Sequence, residues 1–267
     1  MDISWVPYPN RVNHFTVGLL IDFIWFICLL SSSLPLVTAS LLKTALEGLA
    51  ADTAITNEII CLSSHQELTL IIDSFTRKYN LNIRDRLQSK LTGRNYTLLL
   101  TKLIQSGRNE DQTIDTTLAI QQAASLNTIL NKTTLLGGLT DEATLELLDL
   151  MLTFSYSQAQ VVKSQFEIQN PNRPSLEGLI SQRIGGGLQE ALLLLLSIPN
   201  AVYSRKIMEA CTGGSEEAIW RIIGGHNVDA VSAIADQYEK NFNTDMRSVR
   251  ETFLQYSLPL AHWLTLS

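Results

Sequence analysis

Apolar residues beyond position 41 recur at three- and four-residue spacing, the period of a helix with one buried face. Ile219, Ile222 and Ile223 show it, and so do Val231, Ile234 and Tyr238. No segment sustains two-residue alternation between turn signals, so no strands are expected. The spacing predicts helices over 53–62, 65–79, 82–91 and 94–105, then 114–130, 141–152, 157–169, 175–183 and 187–197. A last group covers 200–211, 215–224, 228–241, 244–254 and 258–266. Helix starts are marked at Asp52-Thr53, Thr140-Asp141-Glu142 and Ser215-Glu216-Glu217. There a capping oxygen or an acid meets the free N–H groups of a first turn. Asn170 to Pro174 reads as a loop, with Ser175 as the next cap. The fold class is all-α.

These helices group into a unit that occurs three times. One copy has Leu46-Glu47-Gly48-Leu49-Ala50-Ala51-Asp52, then Phe75-Thr76-Arg77-Lys78-Tyr79, then Gln88-Ser89-Lys90-Leu91-Thr92-Gly93. The second has Leu135-Leu136-Gly137-Gly138-Leu139-Thr140-Asp141, then Lys163-Ser164-Gln165-Phe166, then Ser181-Gln182-Arg183-Ile184-Gly185-Gly186. The third has Cys211-Thr212-Gly213-Gly214-Ser215-Glu216-Glu217, then Gln237-Tyr238-Glu239-Lys240-Asn241-Phe242. Self-similarity of this kind sets the whole architecture.

Composition narrows the function classes. Of the 267 residues, 45% are hydrophobic and 17% charged, which is a globular and not a disordered balance. The net charge of -6 argues against a nucleic-acid partner, which needs a basic face. Cys28, Cys61 and Cys211 are widely spaced and without a CxxC pair, so free thiols in a reducing compartment are expected. The four histidines stand alone, and Gly185-Gly186-Gly187 lacks the lysine and hydroxyl of a phosphate loop. No enzyme activity is expected. His226, after Gly224-Gly225, fits a cation at a helix end.

Residues 15–42 are the most apolar stretch, long enough for the roughly 20 residues of a membrane span. Asp22 lies within it and Pro35 interrupts it. Three readings stay open: a membrane anchor or signal, a helix pair packed on the body, or a segment that arises from how the chain is delimited.

The order of elements resembles the annexin repeat: a loop of type Met-Lys-Gly-x-Gly-Thr-Asp, an aromatic-rich helix, and Lys-Ser-Glu-x-Ser/Thr-Gly before the last helix. Leu46 to Asp52 matches the loop, Phe75 to Tyr79 the aromatic helix and Gln88 to Gly93 the closing motif. Gln105 to Asp111 with Ile114 to Leu130 resembles the long linker between second and third repeats, and Ser197-Ile198-Pro199 the joint before the fourth. The resemblance implies about five helices per repeat in a curved disc. It places repeat two at 41–105, repeat three at 106–197 and repeat four at 198–267. Residues 1–40 form an apolar N-terminal segment where repeat one is missing or degenerate, and that segment is expected to cover the apolar face that repeat one would otherwise bury.

In annexins the loop carbonyls and a carboxylate about forty residues later bind calcium, which takes six to eight hard oxygens. The carboxylate position is Lys90 in repeat two and Arg183 in repeat three, and Ala50 and Leu139 replace the second loop glycine. Calcium is therefore expected only at the repeat-four loop, through Gly213, Gly214 and Glu251, where Glu216 and Glu217 otherwise serve as helix caps. Leu46, Gly48, Lys90, Leu135, Gly137 and Arg183 are the expected lipid-facing positions. Lys90 and Arg183 are either solvated surface residues or fixed cations that replace the metal and touch lipid phosphate. The resemblance implies a cytoplasmic protein, peripheral to anionic phospholipid membranes, with weak or absent calcium dependence. Alternatives are a cytoskeletal or protein-binding adaptor that has lost lipid binding, as in alpha-giardin-like relatives of the family, and an N-terminally anchored form.

Overall fold

The computed structural model describes residues 34–213 and 216–246. Thirteen helices are described: α1 (Leu34–Ala45), α2 (Thr53–Leu62), α3 (His65–Tyr79), α4 (Ile83–Lys90), α5 (Arg94–Ser106), α6 (Thr116–Leu130), α7 (Asp141–Leu152), α8 (Tyr156–Gln169), α9 (Leu176–Arg183), α10 (Gly186–Leu195), α11 (Pro199–Gly213), α12 (Glu216–Gly224) and α13 (Val228–Phe242). Strand pairing among the described residues is one isolated bridge, Thr133 to Leu139. The expected helices at 244–254 and 258–266 fall largely outside the described residues, as does most of the N-terminal segment.

Side-chain caps set the ends. Asp52 accepts from Ile55 N at 3.0 Å to start α2, and Ser64 and Glu67 form a reciprocal capping box on α3. Thr140, Ser155, Ser175 and Asn227 cap α7, α8, α9 and α13 in the same way. Asn80 and Asn243 close α3 and α13 in the left-handed conformation that asparagine tolerates. At α12 the helix ends on Gly224, and His226 Nδ1 lies 2.6 Å from the Ile222 carbonyl, which satisfies an end-of-helix acceptor.

The start of α1 corrects one expectation. Its twelve residues run across the boundary drawn at 40/41, with Ala39 and Leu42 both buried. Pro35 does not interrupt a helix: it sits in the first turn, where the missing N–H has no intrahelical acceptor to lose. Residues 34–106 thus hold five helices, as do residues 116–195.

One apolar core runs through both five-helix groups, from Ala39 and Leu42 through Phe75, Leu99, Leu126, Phe154 and Phe166 to Leu196. A second, smaller core joins Val202, Tyr203, Ile207, Ile222, Ile234 and Tyr238 to Leu62 of α2. Polar ties cross between groups. Tyr96 donates to Asn57 Oδ1 at 2.7 Å, and Asn57 donates to the Gly187 carbonyl at 3.0 Å. A side chain at Gly187 would meet the Tyr96 ring at 2.7 Å, so this glycine reflects close packing. Arg108, buried between the groups, donates to the Phe154 carbonyl at 2.8 Å and to Leu195 at 3.2 Å, stacked 3.7 Å from the Tyr156 ring.

Candidate loop sites of repeats two and three

Two loops occupy equivalent places, between the first and second helices of each five-helix group. The α1–α2 loop closes through Asp52 N to the Ala45 carbonyl at 2.7 Å. Gly48 takes φ of +82°, open to glycine and costly for other residues. The α6–α7 loop is a short hairpin: Gly137 N donates to Thr134 O at 3.0 Å, Thr134 N to Gly138 O at 2.8 Å and Thr140 N to Lys132 O at 3.1 Å. Gly137 takes φ of +88°.

Each loop carries leucine at its tip. Leu135 and Leu136 are 107% and 99% exposed, and Leu49 is 108% exposed. Scattered exposed leucines are ordinary, but full exposure of three at two equivalent tips is not. Leu46, by contrast, is buried in the core and faces no lipid, which corrects its place among the lipid-facing positions.

Under each loop sits a cation. Lys90 Nζ, at the end of α4, donates to the Gly48 carbonyl at 2.7 Å. Arg183 Nη1, at the end of α9, donates to the Gly137 carbonyl at 2.8 Å. These are the lengths of charge-assisted bonds, and both land on the carbonyl of the left-handed glycine. The Arg183 carbonyl in turn accepts from Leu139 N at 3.3 Å, and the Arg183 Nε is buried without a hydrogen-bond partner. Lys90 and Arg183 are therefore not freely solvated.

No protein-family model matches the chain. Annexin A13 of Homo sapiens is 22% identical over 216 residues, covering 78% of this chain and 66% of the relative. The chain spans two thirds or less of the length of the curated relatives it matches. The solved structure of annexin III superposes with a TM-score of 0.72 at 18% identity, over 91% of this chain and 72% of that one. Calcium-bound alpha-1 giardin gives 0.65 at 18% identity, over 91% and 75%. The chain has the annexin fold.

Residues 34–106 and 116–195 each hold five helices, with a loop after the first and a basic residue at the end of the fourth. Calcium does not fit the two loops described. A cation already holds the Gly48 carbonyl in one and the Gly137 carbonyl in the other. In the first loop the nearby acids are engaged: Asp52 caps α2, and Glu47 pairs with Lys43 at 2.5 Å. Among the described residues no cluster of three or more His, Cys, Asp or Glu side chains is placed to hold a metal. Of the expected repeat-four site, Gly213 ends α11, whereas Gly214 and Glu251 lie outside the described residues.

Sequence reasoning missed the charged centre of the molecule. Glu58 on α2 is buried and bound by Lys206 of α11 and by both terminal nitrogens of Arg221 on α12, one of them 3.1 Å away. Burial raises the carboxyl pKa, but the Arg221 hydrogen bond and the charges of Arg221 and Lys206 outweigh it and hold Glu58 below the usual glutamate range. Glu58 between Asn57 and Ile59-Ile60 in an otherwise apolar helix was the available signal. A cavity of about 420 Å³ opens beside it, lined by Glu58, Arg221 and His226 with Tyr203 and Leu70, but the carboxylate is consumed by its two cations. Burial pushes the Cys61 thiol up to about 12, so this cysteine is an inert core residue. No described helix is long and apolar enough to cross a membrane.

Proposed function

We propose that this annexin-fold protein is a peripheral binder of anionic phospholipid membranes that does not depend on calcium at repeats two and three. The observation that carries the reading is the pairing, twice over, of a fully exposed leucine tip with a basic residue beneath it. Leucine inserted at the interface gains the transfer free energy of its side chain, and the cation below favours a phosphate-rich surface. Calcium, if it acts, acts at the repeat-four loop through Gly213, Gly214 and Glu251.

Co-sedimentation with phosphatidylserine vesicles, in calcium and in excess chelator, tests this. Binding in both conditions supports the reading. Binding only with calcium assigns the function to repeat four. No binding in either condition favours the cytoskeletal or protein-binding adaptor.

A further inference from the structure

We propose that Lys90 and Arg183 are built-in substitutes for a metal ion, each organising its loop from beneath, so that both loops are formed without calcium and refuse it. This goes beyond membrane binding and does not depend on it.

Three observations converge. The same atom is engaged in both repeats, the carbonyl oxygen of the glycine with positive φ. Different chemistry reaches it, an ammonium from α4 in one repeat and a guanidinium from α9 in the other. Position and charge are thus shared while residue type is not, which is what replacement of an ion requires. Finally, neither loop has a side chain of its own that bonds this carbonyl, and the backbone bonds that close the loops run through Asp52 N in one and through Thr134, Gly137, Leu139 and Thr140 N in the other, leaving this carbonyl to the cation. A divalent ion entering here would meet a positive charge at close range and would find one fewer oxygen free.

The test uses the full chain without membrane. Backbone hydrogen exchange is followed at Asp52 in the first loop and at Thr134, Gly137 and Thr140 in the second. Wild type is compared with Lys90→Met and Arg183→Met, which keep an apolar stem and lose the charge. The loop below each substitution is expected to exchange about tenfold faster, the other loop unchanged, as for loss of one charge-assisted bond. Wild-type rates are expected to be the same with and without about 1 mM calcium, a level that fills weak sites. Arg183→Glu supplies the missing carboxylate, and its loop is expected to slow on adding calcium. Lys90→Arg and Arg183→Lys keep a cation at the carbonyl and are expected to keep slow exchange. Methionine variants that exchange like wild type would show the cations to be idle. Swap variants as fast as the methionine ones, or a wild type whose two loops slow with calcium, would equally overturn the proposal.

Discussion

Replacing Leu135 and Leu136 together by serine separates insertion from surface charge. Both side chains are fully exposed in the free protein, so their removal leaves folding stability within about 0.5 kcal/mol. Full burial of one leucine side chain is worth about 1.5–3 kcal/mol. A loop tip that reaches only the interface warrants the lower figure, so the pair contributes about 3 kcal/mol. That corresponds to about 100-fold in vesicle affinity. Leu49 is a single side chain, and Leu49→Ser is expected to cost about tenfold by the same argument. The assay is vesicle co-sedimentation in chelator, with protein and lipid titrated at about 0.1 M and about 0.5 M salt. The higher salt shortens the screening length and weakens charge contacts but not leucine burial. Wild-type affinity should therefore survive the higher salt better than that of the double variant. A double variant within threefold of wild type at both salts would refute insertion at this loop while leaving membrane binding intact.

Two other perturbations probe the frame that holds the loops. Glu58→Gln removes the charge from a buried carboxylate and leaves Lys206 and Arg221 facing each other; because both cations keep some solvent contact, the expected loss is about 2–4 kcal/mol, read as a lower urea midpoint. Since the folded pKa of Glu58 lies below its unfolded one, its contribution is present above the ordinary glutamate value of about 4.3 and is lost as pH falls below it, so the wild-type midpoint should drop on acidification more steeply than that of Glu58→Gln. Arg108→Met keeps an apolar stem but loses the guanidinium that stacks on Tyr156 and donates to the Phe154 and Leu195 carbonyls; a loss of about 2–4 kcal/mol is expected in the same assay, and a loss below about 1 kcal/mol would mean that water replaces the guanidinium.

The helices were legible because their signals are local. Asp52, Ser64, Thr140 and Ser155 cap within three residues of themselves, and the three- and four-residue spacing of Leu147, Leu148 and Met151 in α7 and of Ala159, Val162 and Phe166 in α8 marks their buried faces. Pro35 was read as an interruption of the apolar stretch, when one position decides whether proline opens a helix or ends it. At the loops, the motif pointed to Lys90 and Arg183 but not to what they touch. Gly48 and Lys90 are 42 residues apart, and which carbonyl a flexible side chain finds depends on how α4 packs under the α1–α2 loop. Arg108 and the Glu58 cluster were lost for the same reason, since their partners lie 46 to 163 residues away.

A dissolved ion comes and goes with its concentration; a side chain cannot leave. With Lys90 and Arg183 bonded to their loop carbonyls, the two loops have no off-state that a fall in free calcium would populate, and their readiness is fixed at folding. Control must then come from chemistry on the chain itself, and the two loops differ in what they accept. Acetylation would neutralise the lysine and release the Gly48 carbonyl, while the arginine is not a substrate for that reaction. One loop is thus open to an enzyme-written switch, and the other stays set for the life of the molecule.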